Sequence, residues 1–200
     1  MDASRADDVF VTPEAVQHIT LFATADDLPS GEAPAPELLE AEVRALKDLA
    51  ATWDPFTLEA HSVVLMPSGT LLLLWLPVPE TATDPESTRR EYEAVAERDF
   101  SAPGGGVPNI FHTSLARVCF GCELGDEQLA AVEAACAHAT EALRGTRCTF
   151  DRLWYVTDSD EAAMEAAAPS RAAERGTVRR RWLTAANVIR NGEIVSLDLD

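Results

Sequence analysis

The chain has 200 residues, 46% of them hydrophobic and 25% charged, which fits one globular domain with a core of its own. Sixteen basic residues against 34 acidic ones leave a formal charge of −18, a balance that repels long nucleic acids and anionic membranes but leaves short nucleotides open as ligands. The opening MDASRADDVF lacks the basic and apolar regions of a secretory signal and is too acidic for a mitochondrial presequence, and the longest apolar run, residues 71–76, cannot span a bilayer, so a cytoplasmic protein is expected.

Residues 16–22, VQHITLF, have the β-branched and apolar content of a strand, which puts His18 and Thr20 on one face. A loop rich in Pro, Gly and acids follows over 26–36. Leu39, Val43, Leu46, Ala50 and Trp53 then recur at helical spacing and predict a helix over 37–53, ended by Asp54 and Pro55. Residues 56–66 and 70–78 read as a hairpin turned by Pro67, Ser68 and Gly69. Residues 86–98, where charges interleave with Tyr92 and Val95, read as an exposed amphipathic helix. Gly104, Gly105 and Gly106 have no lysine and no helix start after them, as a phosphate loop would need, and read as a lead-in to a strand over 110–120.

His112 and Ser114 share one face of that strand, and counting by twos puts Arg117 on the other. Asp126 is placed to cap a helix whose apolar stripe is Leu129, Val132, Cys136, Ala139 and Leu143. A strand is expected over 148–157 and a short helix over 161–168, stopped by Pro169. Residues 177–189 and 194–197, joined through Asn191 and Gly192, read as a terminal hairpin. The order predicts an α+β fold with a rough internal duplication, each half offering a histidine strand, a helix and a further strand.

Cys119 and Cys122 form a CxxC, but Cys136, His138 and Cys148 do not complete the spacing of a zinc knuckle, and the pair does not open a helix as a redox pair would. All four cysteines are therefore read as reduced packing thiols. The basic run Arg179, Arg180 and Arg181 reads as alternating solvated strand positions. Trp75, Trp154 and Tyr155 lie on predicted strands, where core packing and stacking on a base are both open. His61 and His138 read as packing or surface residues.

Two of the four histidines open the pattern His-x-Thr/Ser-apolar: His18-Ile19-Thr20-Leu21 and His112-Thr113-Ser114-Leu115. At average composition the chance of both matching is about 2%. Breaking a phosphodiester requires a proton to leave the attacking water and another to reach the leaving oxygen, and imidazole, with an ordinary pKa near ~6.5, does either at neutral pH. A hydroxyl two residues along the strand points the same way and can donate to the nonbridging phosphate oxygens.

These motifs, HITLF at 18–22 and above all HTSLARV at 112–118, resemble those of the two-histidine phosphoesterase superfamily, which includes bacterial RNA 2′,3′-cyclic phosphodiesterases of the 2′–5′ ligase type and plant and fungal cyclic phosphodiesterases. The likeness covers residues 16–156. It implies one domain over 1–200, built as two pseudo-symmetric lobes of antiparallel sheet with outer helices around a central cleft. It also implies His18 and His112 as the acid–base pair, Thr20 and Ser114 as phosphate binders, and no metal or other cofactor. The implied activity is hydrolysis of a cyclic phosphate or phosphodiester on a nucleotide or short RNA end, by a monomer with no membrane partner. In one respect the chain departs from the pattern: only 17 residues precede His18, where members carry a strand and a helix, so the first lobe is expected to be trimmed or completed by another segment. The alternatives are a non-catalytic nucleotide-binding or interaction module of the same fold, and a metal or redox protein built on Cys119 and Cys122.

Overall fold

The computed structural model describes residues 9–14, 17–25, 36–100, 109–118, 124–157, 180–185 and 193–198. Among them are the strands β1 (Val9–Val11), β2 (Ile19–Ala25), β3 (Phe56–Leu65), β4 (Thr70–Pro77), β5 (Phe111–Val118), β6 (Arg147–Phe150), β7 (Arg152–Thr157), β8 (Arg180–Ala185) and β9 (Glu193–Asp198), with helices α1 (Pro36–Ala50), α2 (Pro85–Phe100) and α3 (Asp126–Leu143). The fold is α+β. All strand pairs are antiparallel, in a five-stranded sheet ordered β1-β5-β4-β3-β6 and a four-stranded sheet ordered β2-β8-β7-β9. No described helix is long and apolar enough to cross a membrane.

The main core draws on both sheets. Ile19, Leu21 and Phe22 of β2, Leu153 and Tyr155 of β7, Phe56 and Leu58 of β3 and Phe111 of β5 bury together with Leu46 and Ala50 of α1 and Tyr92 and Ala96 of α2. The apolar stripe expected of α1 faces this core, with Leu39 and Val43 packed against it, but the helix ends at Ala50 and Trp53, expected in its last turn, enters the core from beyond it. A second cluster joins Ala60, Val63 and Leu73 of the larger sheet to Cys136, Val132, Ala139 and Leu143 of α3. Leu129, at the start of that stripe, is exposed.

The β3–β4 hairpin forms where expected. Gly69 takes φ +80°, a left-handed conformation that glycine adopts without strain, and a Cβ there would sit 3.3 Å from Val118 Cβ. Its carbonyl accepts from Val118 N at 2.8 Å, so the turn also anchors the end of β5.

Three expectations are corrected, and the segment that completes the sheet of β2 is identified. Residues 148–157 are two strands, not one: Phe150 stacks on Phe56 in the larger sheet, and Leu153 is buried beneath the smaller. The exposed pair Asp151 and Arg152 breaks the two-residue alternation between them, and the chain changes sheets there. β8 and β9 are not a hairpin, because β7 inserts between them and pairs with both. Helix α3 is capped by Gly125, whose N–H donates to Gln128 Oε1 at 3.0 Å, and Asp126 is already its first helical residue. The residues before His18 supply β1, which pairs with β5 rather than β2, and the sheet around β2 is completed by β8, β7 and β9 from the end of the chain. The helix expected over 161–168, the glycines 104–106, Arg179 and the pair Cys119 and Cys122 lie outside the described residues.

Candidate active site

β5 alternates about its own axis. Phe111 and Thr113 are buried on the core side, while His112 and Ser114 are half-buried on the opposite face. Opposite them on β4 stand Leu74 and Leu72. The register then slips: Leu72 pairs with Ser114 but Leu71 pairs with Ala116, so Leu115 is an extra residue, a β-bulge. The Leu115 carbonyl accepts from Thr12 N at 2.9 Å, just beyond β1.

β2 repeats the pattern. Ile19 and Leu21 are buried in the core, Thr20 is half-buried facing away from it, and His18, one residue before the strand, is exposed. Thr20 pairs with Thr184 and Phe22 with Leu183, so Leu21 is again the extra residue. The bulge therefore falls on the fourth residue of both motifs. It lets Leu21 and Phe22 both enter the core, where Phe22 meets Tyr92 edge-on at 4.4 Å.

The two motif strands belong to different sheets yet lie side by side. Between them stands Arg89 of α2, 2% exposed. Its Nη2 donates to the Thr20 carbonyl of β2 at 2.8 Å and to the Ile110 carbonyl before β5 at 3.0 Å, and its guanidinium carbon lies 3.6 Å from the centre of the Phe111 ring. Burial lowers the Arg89 pKa to about 10, partly offset by Glu86, so the group stays charged at neutral pH.

His112 sits in the resulting field. Its pKa is lowered, first by burial, then by the charges of Arg89 and His18, with a contact to the Ile110 backbone pulling the other way. The neutral imidazole is thus the favoured form at pH 7, and the influence of His18 places the two rings within electrostatic reach of each other. His112 Nδ1 is buried without a hydrogen-bond partner among the described residues.

The bulge at Leu115 has a further consequence. Thr70, Leu72 and Leu74 share one face of β4, and they pair with Arg117, Ser114 and His112 in turn. Arg117 therefore stands on the histidine face, not the opposite one, because the extra residue reverses the count by twos. Its exposed guanidinium confirms the side through Nε, which donates to Thr70 Oγ1 at 3.3 Å.

Of the three aromatic candidates, Tyr155 is core, its hydroxyl donating to the fully buried Glu42 of α1. Trp75 packs against both core clusters and donates through Nε1 to Thr113 Oγ1 at 3.1 Å. Trp154 differs. Thr20 pairs with Thr184, and Thr184 with Trp154, so Thr20 and the half-buried Trp154 lie in one row on one face, about 10 Å apart across two interstrand spacings. Arg152, two residues before it, holds its guanidinium carbon 5.9 Å from the Trp154 ring centre. His61 and His138 are exposed on β3 and α3, away from this row.

Arg89 was missed because the charges of α2 read as a solvated face. The signal was present: Pro85, Thr88, Arg89, Tyr92 and Ala96 recur at helical spacing and all are buried. An arginine on the apolar stripe of a helix must find acceptors inside. Among the described residues no cluster of His, Cys, Asp or Glu has the makings of a metal site. Compared with protein-family models, curated proteins and solved structures, the chain returns no match.

Proposed function

We propose that this chain is a two-histidine phosphoesterase that hydrolyses a 2′,3′-cyclic phosphate or related phosphodiester on a nucleotide or short RNA end. In this reading the two sheets are the two lobes of the superfamily, with the first completed by the C-terminal strands, and the histidine face is the wall of the cleft between them. The observation that carries the reading is the equivalence of the motifs in space: two adjacent strands, each with its hydroxyl facing away from the core and a bulge on the same motif residue, and with imidazoles that feel one another.

The environment of His112 assigns it the base, which leaves the acid to His18. Neutral His112 takes a proton from water as its oxygen forms the new bond to phosphorus. The bond from phosphorus to the ribose 2′ or 3′ oxygen breaks, and protonated His18 delivers a proton to that oxygen. The histidines have then exchanged protonation states, and solvent resets them. Thr20 and Ser114 donate to the nonbridging oxygens, where charge builds up, and Arg117 is placed to neutralise it. Trp154, one row along, offers an apolar plate to the base at about one nucleotide's span from Thr20.

The test is turnover of 2′,3′-cyclic nucleotides, ADP-ribose cyclic phosphate and short 2′–5′ and 3′–5′ oligonucleotides in EDTA, by wild type, His18→Ala and His112→Ala. Turnover that persists in chelator and is lost in both variants is expected. Tight binding of the same compounds with no product at any pH would instead identify a non-catalytic nucleotide-binding module.

A further inference from the structure

Burying a guanidinium is costly unless its protons find acceptors and its faces find a partner. At Arg89 the Nη2 protons and one face are met from the two histidine segments, while Nε has no hydrogen-bond partner among the described residues. One atom, Nη2, spends its two protons on the Thr20 carbonyl inside the first motif and on the Ile110 carbonyl two residues before His112. Two oxygens bonded to a single nitrogen cannot stand more than about 6 Å apart, so the contact sets the separation of two strands that share no sheet. At Thr20 the bulge interrupts the ladder, and Arg89 supplies a donor there. The Phe111 ring, adjacent to both Ile110 and His112, carries the flat face of the cation.

We propose that Arg89 is the positioning residue of the site: it pins the two histidine strands at one spacing and presents its positive charge to His112. The proposal rests on the two-histidine reading for its bearing on rate, while the pin itself does not. Among the described residues, Arg89 from α2 and His18, one residue before β2, act on His112, Glu86 acts on Arg89, Arg117 stands further along the same face of β5 against Thr70, and the neighbouring β4 residue, Leu74, brings no charge. The design uses arginine specifically. A lysine retains the charge but has no planar fork to hold two carbonyls together against a ring, and a glutamine retains an N–H donor without the charge.

The experiment compares wild type, Arg89→Lys and Arg89→Gln by two readouts, kcat/KM against pH and the NMR titration of His112, with its signal assigned by its loss in His112→Gln. Arg89→Lys is expected to lose about tenfold or more in kcat/KM while the His112 midpoint stays put. Arg89→Gln is expected to lose as much, and in addition to move the His112 midpoint, and the acid limb of the rate profile with it, toward the ordinary histidine value. A wild-type rate in Arg89→Lys, or an unmoved His112 midpoint in Arg89→Gln, overturns the proposal. If Arg89→Gln does not fold, the rate and midpoint of Arg89→Lys decide it: a loss of rate without a shift supports the pin, and a shifted midpoint in a variant that retains the charge overturns it. Should wild type turn over none of the phosphodiesters, the functional reading has failed, and the midpoints in the resting protein still decide whether Arg89 acts on His112.

Discussion

The motifs of β2 and β5 share a four-residue pattern, a bulge position and an outward hydroxyl, yet their histidines sit in different surroundings. His18 is exposed and precedes its strand; His112 lies inside its strand, half-buried above a phenylalanine that carries a buried arginine. Under the proposed function, a shared pattern selects the residue types, and the surroundings of His112, burial first and then the Arg89 charge of α2, an element outside both motifs, favour its neutral form.

The sharpest way to break this comparison is to remove each histidine. His18→Ala and His112→Ala should each lower kcat on a cyclic phosphate by about 10²-fold to 10⁴-fold, measured in saturating substrate. If either variant retained wild-type turnover, the pair would not share the work. The pH profile sharpens the point: because burial and the Arg89 charge lower the His112 pKa, the acid limb of kcat/KM should fall below the ordinary histidine value of ~6.5. Next in size are the hydroxyls. Ser114→Ala and Thr20→Val should each cost about 10²-fold to 10³-fold in kcat, the scale of losing one donor to a developing charge, with little change in KM.

Much of this arrangement was legible in the chain, and the failures have definite causes. The β3–β4 hairpin could be read because Gly69 marks the turn and the flanking runs are apolar enough to be strands in any context. The paired motifs could be read because alternation by twos places His and Ser or Thr together over so short a distance. The same rule failed three residues later: Arg117 changes face because Leu115 is a bulge, which no local property of Leu115 announces. β7 between β8 and β9 was missed for a related reason, since the turn signal at Asn191 and Gly192 is local while strand order is decided by which buried faces meet. Arg89 was counted among the surface charges of its helix and Glu42 drew no reading, although each lies on the apolar stripe of its helix, and the partners that receive them come from distant residues: two carbonyls for one, the Tyr155 hydroxyl for the other.

A smaller effect should separate the two sheets as binding surfaces. Trp154→Ala removes the aromatic plate in the row of Thr20 and should raise KM for a cyclic nucleotide by about tenfold with kcat nearly unchanged, within the ~1–3 kcal/mol range of base stacking. Trp75→Phe in the other sheet should leave KM alone, because that ring is committed to the core and to Thr113. Equal effects in steady-state kinetics would remove Trp154 from the site.

The smallest expected effect lies in folding stability. The His112 pKa is lower in the folded protein than in the unfolded chain, so the unfolded state takes up a proton first as the pH falls. The stability contributed by a neutral His112 is therefore present above ~6.5, the ordinary value, and is lost as the pH drops through the folded value. Acidification also relieves the self-repulsion of a chain with a formal charge of −18, an opposing change that a single urea titration would not separate. The comparison must be differential: unfolding midpoints at pH 7.5 and pH 5 for wild type and His112→Gln, in which the repulsion term is shared and cancels. Wild type should lose more stability than the variant over that interval.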